Sequence, residues 1–230
     1  MSRGPPPRIA PLVADGLRYE APWTARGTVV AFDEKSGQEQ WRLLVVHRFI
    51  DEQEETDVQQ VFIKSMALTP SGQALHLVDE GGLEYLVDLQ QRSAKLLTWR
   101  MGVRLLSSTP SKQGWRYRVE LSTTNVLDRV LQLDGPSVAE GGTLANDLFR
   151  VTVDGRPVSF HGMMAKRAPP ERFIELRPGE RYVTEVELGD AYPVPPGKHR
   201  VTIAFEHTNH FSREGFTMKS APVDVKFTPD

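Results

Sequence analysis

The one close histidine pair in this chain is His207 and His210, in the run Glu206-His207-Thr208-Asn209-His210. Two imidazoles three residues apart can present two nitrogens to one metal ion if the backbone turns between them. An extended strand would instead send the two rings to opposite faces. Phe205 and Phe211 flank the pair and no third ligand is evident nearby. The histidines therefore read first as surface or strand-end residues, and second as a metal-binding or hydrolytic site. Ser36, Ser65 and Ser159 lie in no Gly-x-Ser-x-Gly elbow, and no two carboxylates can be placed across a cleft from sequence. With no cysteine in the chain, disulfides, thiolate metal sites and a cysteine nucleophile are excluded. No catalytic residue, metal site or cofactor is expected.

The stronger candidate is a binding surface. The run from His161 through Gly162, Met163, Met164, Ala165, Lys166 and Arg167 to Pro170 is a long connection carrying bulky apolar and basic side chains. Connections of this kind at the ends of sandwiches often do the binding, and methionine adapts to a partner's contour. His161, Met163, Met164, Lys166 and Arg167 are thus the candidate contact residues. The competing reading packs one methionine beneath the loop as core and leaves the basic pair in solvent. The acidic run Asp51, Glu52, Glu54, Glu55 and Asp57 reads first as a solvated loop or helix start and second as a site for a cation or basic partner. Trp23, Trp41, Trp99 and Trp115 are expected in the core or between domains.

The elements that must position these residues are strands. Apolar, β-branched runs flank Lys35-Ser36-Gly37, then Thr69-Pro70-Ser71-Gly72, then Asp79-Glu80-Gly81-Gly82, which is the pattern of successive hairpins. Residues 97–114 read as irregular and hold the expected domain boundary, although Gly102 to Leu106 can already open the next sheet. Beyond it, strands are expected at 115–121, 129–133, 148–153, 158–160, 173–176, 182–188, 199–206 and 223–227. They are joined by the turns Val-Asp-Gly-Arg-Pro, Leu-Arg-Pro-Gly-Glu and Pro-Pro-Gly-Lys. That many short strands in the second half is the immunoglobulin-like range. The fold class expected is all-β: an N-terminal antiparallel hairpin-built sheet packed against a C-terminal immunoglobulin-like β-sandwich. The expected organisation is a proline-rich tail over 1–14, a small antiparallel β domain over 15–98 and the sandwich over 99–230.

Two resemblances attach to these motifs. Val30-Ala31-Phe32-Asp33, Lys35-Ser36-Gly37 and Trp41, with a weaker copy at Tyr85-Leu86-Val87-Asp88-Leu89, resemble the repeat of quinoprotein-type β-propellers. A ring of blades of about 40 residues each cannot close from this half, so the likeness implies hairpin chemistry and no cofactor. In the second half, the run 147–162 containing Val153-Asp154-Gly155-Arg156-Pro157 is followed by Phe173-Ile174-Glu175-Leu176-Arg177-Pro178-Gly179-Glu180, Ala191-Tyr192 and Pro196-Gly197. In order and spacing these look like the non-catalytic β-sandwich region that accompanies deuterolysin-type (aspzincin) metallopeptidases. The resemblance implies the sandwich alone. No histidine is followed by Glu, so the zinc-binding His-Glu-x-x-His is missing, and Gly142-Thr143-Leu144-Ala145-Asn146-Asp147 does not supply that family's liganding aspartate.

Composition bounds the rest. The 230 residues suffice for two modest domains, and 39% hydrophobic with 25% charged residues is ordinary for a globular chain. Lys and Arg number 28 against 30 Asp and Glu, a net charge of −2 without a basic stripe, so a nucleic-acid partner is not expected. No run approaches the roughly 18 apolar residues of a membrane span, and the basic start lacks an apolar segment behind it. The expectation is a cytoplasmic protein as the sequence stands, and an extracytoplasmic one if a leader has been removed. The expected role is non-catalytic recognition of a protein partner, as an inhibitor, immunity or adaptor protein. The alternatives are a metal-binding or hydrolytic enzyme near His207 and His210, and a carbohydrate- or surface-binding module using Tyr182, Tyr192 and Phe205. Oligomeric state is left open.

Overall fold

The computed structural model describes residues 8–50, 53, 59–164, 169–211 and 215–229. The chain is all-β, and its hairpins and meanders pair antiparallel. It divides into two compact units, Met1–Thr98 with Val126–Arg129, and Trp99–Asn125 with Val130–Asp230.

In the first unit, β1 (Leu12–Ala14), β2 (Leu17–Glu20), β3 (Thr28–Asp33) and β4 (Glu39–Leu44) form a four-stranded sheet in chain order. Leu12–Ala14 falls within the stretch read as a tail. It is a strand because Asp15 and Gly16 take φ of 52° and 74°, the left-handed pair that a two-residue hairpin requires. At the β3–β4 turn, Asp33 Oδ1 accepts the Ser36 N–H and hydroxyl, both at 2.7 Å, which fixes the turn locally. Tyr19 and Trp41 are buried together with ring centroids 5.8 Å apart. Trp23 departs from the core expectation. It sits in a single 3₁₀ turn, Trp23–Ala25, with 58% of its surface exposed.

A meander follows, of β5 (Ile63–Leu68), β6 (Ala74–Asp79), β7 (Glu84–Asp88) and the start of β8 (Ser93–Ser111). Leu75, Leu77, Tyr85, Val87 and Leu96 are buried at alternate positions, as a one-sided sheet demands. Asp79 is buried among them and is fully occupied. It accepts from the Arg48 guanidinium, from the Leu83 N–H at 2.9 Å and from the Tyr85 hydroxyl at 3.3 Å.

Residues 97–114 are not irregular. They belong largely to β8, the longest strand of the chain, which pairs with β7 through residue 98 and with β9 (Gly114–Thr124) from Gly102 onward. The change of partner, with a register shift between Leu105 and Ser107, breaks the alternation that marks a strand in sequence.

In the second unit, β8, β9 and β14 (Arg181–Glu187) make one antiparallel layer. Another holds β11 (Phe149–Val153), β12 (Arg156–Pro157), β15 (His199–Asn209) and β17 (Val223–Phe227), with β15 between β11 and β17. A short ladder joins β10 (Leu131–Asp134) to β13 (Phe173–Leu176), and β16 (Phe216–Ser220) pairs with the end of β15. The strand expected over 158–160 is instead the two-residue β12. Val158 still donates to the Val151 carbonyl at 2.9 Å, and the chain then leaves the sheet.

The layers meet through aromatic rings. Trp115 and Tyr117 of β9 lie 4.9 and 5.3 Å from Phe227 of β17, and within the second layer Phe149 of β11 stands edge-on to its cross-strand partner Phe205 of β15 at 5.4 Å. The outer edge of β14 is covered by the turns Gly135–Val138 and Glu140–Gly142, with Thr184 and Tyr182 hydroxyls donating to the carbonyls of Ala139 and Val138. That cover removes an open pairing edge. Among the described residues no helix is long and apolar enough to cross a membrane.

Candidate functional site

The segment 189–194 of the second unit organises the surface where candidate contact residues gather. Its centre is Tyr192, which is fully buried and bonded at every polar atom of its side chain. The Tyr192 hydroxyl accepts the Phe149 N–H at 2.9 Å and donates to Asp147 Oδ1 at 2.8 Å, while the Tyr192 carbonyl accepts the Tyr117 hydroxyl at 2.7 Å. Burial is the main reason both phenols are pushed above their ordinary range. Two glycines let this segment lie against β9. A Cβ on Gly114 would stand 2.4 Å from the Val194 carbonyl oxygen, and one on Gly189 would stand 2.7 Å from the Trp115 carbonyl oxygen.

On one side, this segment carries the loop that holds the sequence-predicted residues. The Phe160 ring lies 5.3 Å from the Tyr192 ring and closes over Gly162, where any Cβ would collide with it. The His161 N–H donates to the Ala191 carbonyl at 2.8 Å, with the imidazole itself exposed. Immediately beyond this fixed base, Met163 and Met164 project into solvent, 90% and 70% exposed. The reading in which one of them packs beneath the loop is therefore corrected: the space beneath is filled by Phe160 and Tyr192. Lys166 and Arg167 lie outside the described residues, as does most of the acidic run over 51–57.

On the other side, the segment and the β8–β9 turn enclose a shallow cleft of about 370 Å³, lined among others by Lys112, Gln113, Arg116, Asp190, Pro193 and Val194. Trp115 forms its inner wall. The Trp115 N–H donates to the Val194 carbonyl at 2.9 Å and its indole Nε1–H to the Gly197 carbonyl at 3.0 Å. Sequence reasoning missed this cleft. The turn Ser111-Lys112-Gln113-Gly114 is visible as turn chemistry, but Arg116 and Asp190 line one cleft only because distant backbone folds onto β9.

His207 and His210 are neighbours in space, with ring centroids 6.2 Å apart and planes at 90°. His207 lies within β15, paired with Met218, while His210 falls just after the strand ends at Asn209. Asn209, between them, is fully buried. Its amide donates to the Gln132 carbonyl at 3.0 Å, and its Oδ1 has no partner among the described residues. Among the described residues no group of three or more His, Cys, Asp or Glu side chains is placed to hold a metal ion. Tyr192 and Phe205, two of the three aromatics considered for a carbohydrate face, are core residues.

A separate ionic pair sits where β11 turns into β12. Asp154 Oδ2 lies 2.7 Å from His199 Nδ1, and Asp154 Oδ1 accepts the Arg200 N–H at 2.9 Å. The hydrogen bond to His199 is the main cause holding the Asp154 carboxyl below its ordinary value, and the same bond holds the His199 imidazole above its own. No protein-family model matches this chain, and no curated protein was found to be similar to it.

Proposed function

We propose that this chain is a non-catalytic recognition protein that binds a protein partner through the surface centred on Met163 and Met164. The observation that carries this reading is the contrast between those two side chains, 90% and 70% exposed, and the locked base directly beneath them. Adjacent large apolar side chains held out in water lose free energy unless something covers them. A base already fixed by Phe160, Tyr192 and the His161 to Ala191 hydrogen bond reduces the ordering entropy that binding must overcome. Methionine suits such a contact because its unbranched, polarisable side chain fits an irregular apolar pocket. The second unit is read as an immunoglobulin-like sandwich resembling the aspzincin accessory region without its peptidase, which suits an inhibitor, immunity or adaptor role.

The test places a photo-crosslinking amino acid at position 163 or 164 in the protein expressed in its source cells, with position 35 as control. A discrete protein adduct at 163 and 164 that is missing at 35 is expected. The same adducts at all three positions, or none at 163 and 164, would overturn the reading. A second reading, a metal-binding protein, is favoured by the approach of the His207 and His210 rings alone. Stoichiometric metal in the purified protein, lost in the His207→Ala variant, would move the weight to it.

A further inference from the structure

We infer that the cleft beside the β8–β9 turn is a docking site for an acidic segment of a partner polypeptide, held by Lys112 and Arg116. On the outer face of β8, β9 and β14 the acids are already engaged. Glu120 takes both Arg104 at 2.7 Å and Arg181 at 3.2 Å, and Glu185 takes Arg118 at 3.3 Å. Glu187 Oε1 accepts the N–H groups of Tyr117 at 3.0 Å and Gly189 at 3.3 Å. Arg116, at the cleft end of that same face, makes no ion pair among the described residues, and Asp190 is the one carboxylate that lines the cleft with it. Lys112 on the turn is likewise unpaired among the described residues, and so is Lys198, next to the Gly197 whose carbonyl anchors the Trp115 indole. The chain as a whole carries a net charge of −2, whereas the cleft lining holds two cations, Lys112 and Arg116, against one acid, Asp190.

The shape narrows the ligand to a carboxylate-bearing peptide. A volume of about 370 Å³ takes a few side chains, and it is walled in part by the backbone of Gly114 and Gly189, where there is no room for a Cβ. Asp190 lines the same cleft and is also unpaired among the described residues. It repels the continuous phosphate charge of a nucleic acid, but it accepts the amide N–H groups that a peptide backbone brings. Arginine grips a carboxylate through two parallel N–H bonds, and lysine adds a point charge alongside. The inference rests on the reading of a partner-recognition protein and names what that partner presents.

The test titrates the whole protein with a fluorescein-labelled hexaglutamate peptide and follows anisotropy from about 0.05 to about 0.5 M NaCl, a range over which exposed ionic contacts are screened. Saturable binding that weakens with salt and falls at least about tenfold in the Lys112→Glu, Arg116→Glu variant is expected. The Lys35→Glu, Lys95→Glu variant, which changes the net charge by the same amount at two exposed lysines away from the cleft, should bind the peptide as the wild type does. No binding at about 1 mM peptide, or binding that the cleft variant retains, overturns the inference. So does a stronger cleft-dependent response to a DNA duplex or to phosphatidylserine vesicles. An equal loss of binding in the Lys35→Glu, Lys95→Glu variant would also overturn it, whereas the crosslinking result at 163 and 164 stands or falls independently.

Discussion

The carbonyl oxygen of Val194 lies 2.4 Å from the point where a Cβ on Gly114 would stand, and Gly114 takes a φ of 134° that L side chains rarely adopt. Steric room and backbone conformation therefore demand glycine together. Gly114→Ala must displace backbone, and it is expected to destabilise the protein by roughly 2–4 kcal/mol. Gly37 supplies the comparison, with a φ of 71° and open space around it. Gly37→Ala meets the left-handed penalty alone, about 1–2 kcal/mol. Urea midpoints of the two variants give the answer, and equal losses would mean that the close approach at Val194 contributes nothing.

Asp79 and Arg48 make the corresponding prediction in the first unit. Asp79 is fully buried and the Arg48 side chain is 11% exposed, so solvent screens their pairing weakly. Asp79→Ala leaves a buried guanidinium and strips the Leu83 N–H and Tyr85 hydroxyl of their acceptor. The expected loss is about 3–5 kcal/mol. Combining Arg48→Met with Asp79→Asn should cost less than the sum of the single changes, by more than about 1 kcal/mol, because the pair acts as a unit. Additive losses in a denaturation cycle would show that the two residues act separately.

Protonation of His199 and Asp154 sets a pH window. The imidazole is held above its ordinary 6.5, so its contribution is complete below that value and is lost as pH rises through its folded pKa. The carboxyl is held below its ordinary 3.8, so its contribution is present above 3.8 and fades as pH falls through its folded pKa. The pair is strongest between these limits. Ring C–H shifts followed by NMR should place the His199 midpoint above 6.5, and Asp154→Asn should bring it back down. An unmoved midpoint would remove Asp154 as the cause.

Legibility in sequence follows the range of the interactions concerned. The hairpin at Lys35-Ser36-Gly37 and the strands Phe173–Leu176 and Val223–Phe227 were readable because turn residues and alternation act within a few positions. The 19-residue β8 was not, because it exchanges β7 for β9 partway and its buried face is reset at the exchange. The methionine loop was identifiable by composition, yet exposure at 163 and 164 depends on Phe160 and Tyr192 filling the space beneath. The cleft depends on Gly114 and Gly189 admitting a distant segment to the start of β9, which no local pattern announces. Asp15-Gly16 is the opposite case, a local signal that was present and overlooked.

Tyr192 ties the core to the candidate surface, and its hydroxyl makes the last prediction. Tyr192→Phe keeps the ring that supports Phe160 but leaves the buried Phe149 N–H without its acceptor and Asp147 without its donor. The expected loss is about 1–3 kcal/mol. The pH dependence changes with it. Because burial raises the phenol above its ordinary 10.0, the folded state holds that proton more tightly than the unfolded chain does. Stability from this group is complete below pH 10.0 and is lost as pH rises beyond it. The wild type should therefore lose more stability than Tyr192→Phe when urea unfolding is repeated above that pH. Parallel losses would assign the alkaline sensitivity to the other buried phenols, Tyr19, Tyr85 and Tyr117, and leave the Tyr192 hydroxyl a purely geometric role in seating the segment beneath the methionines.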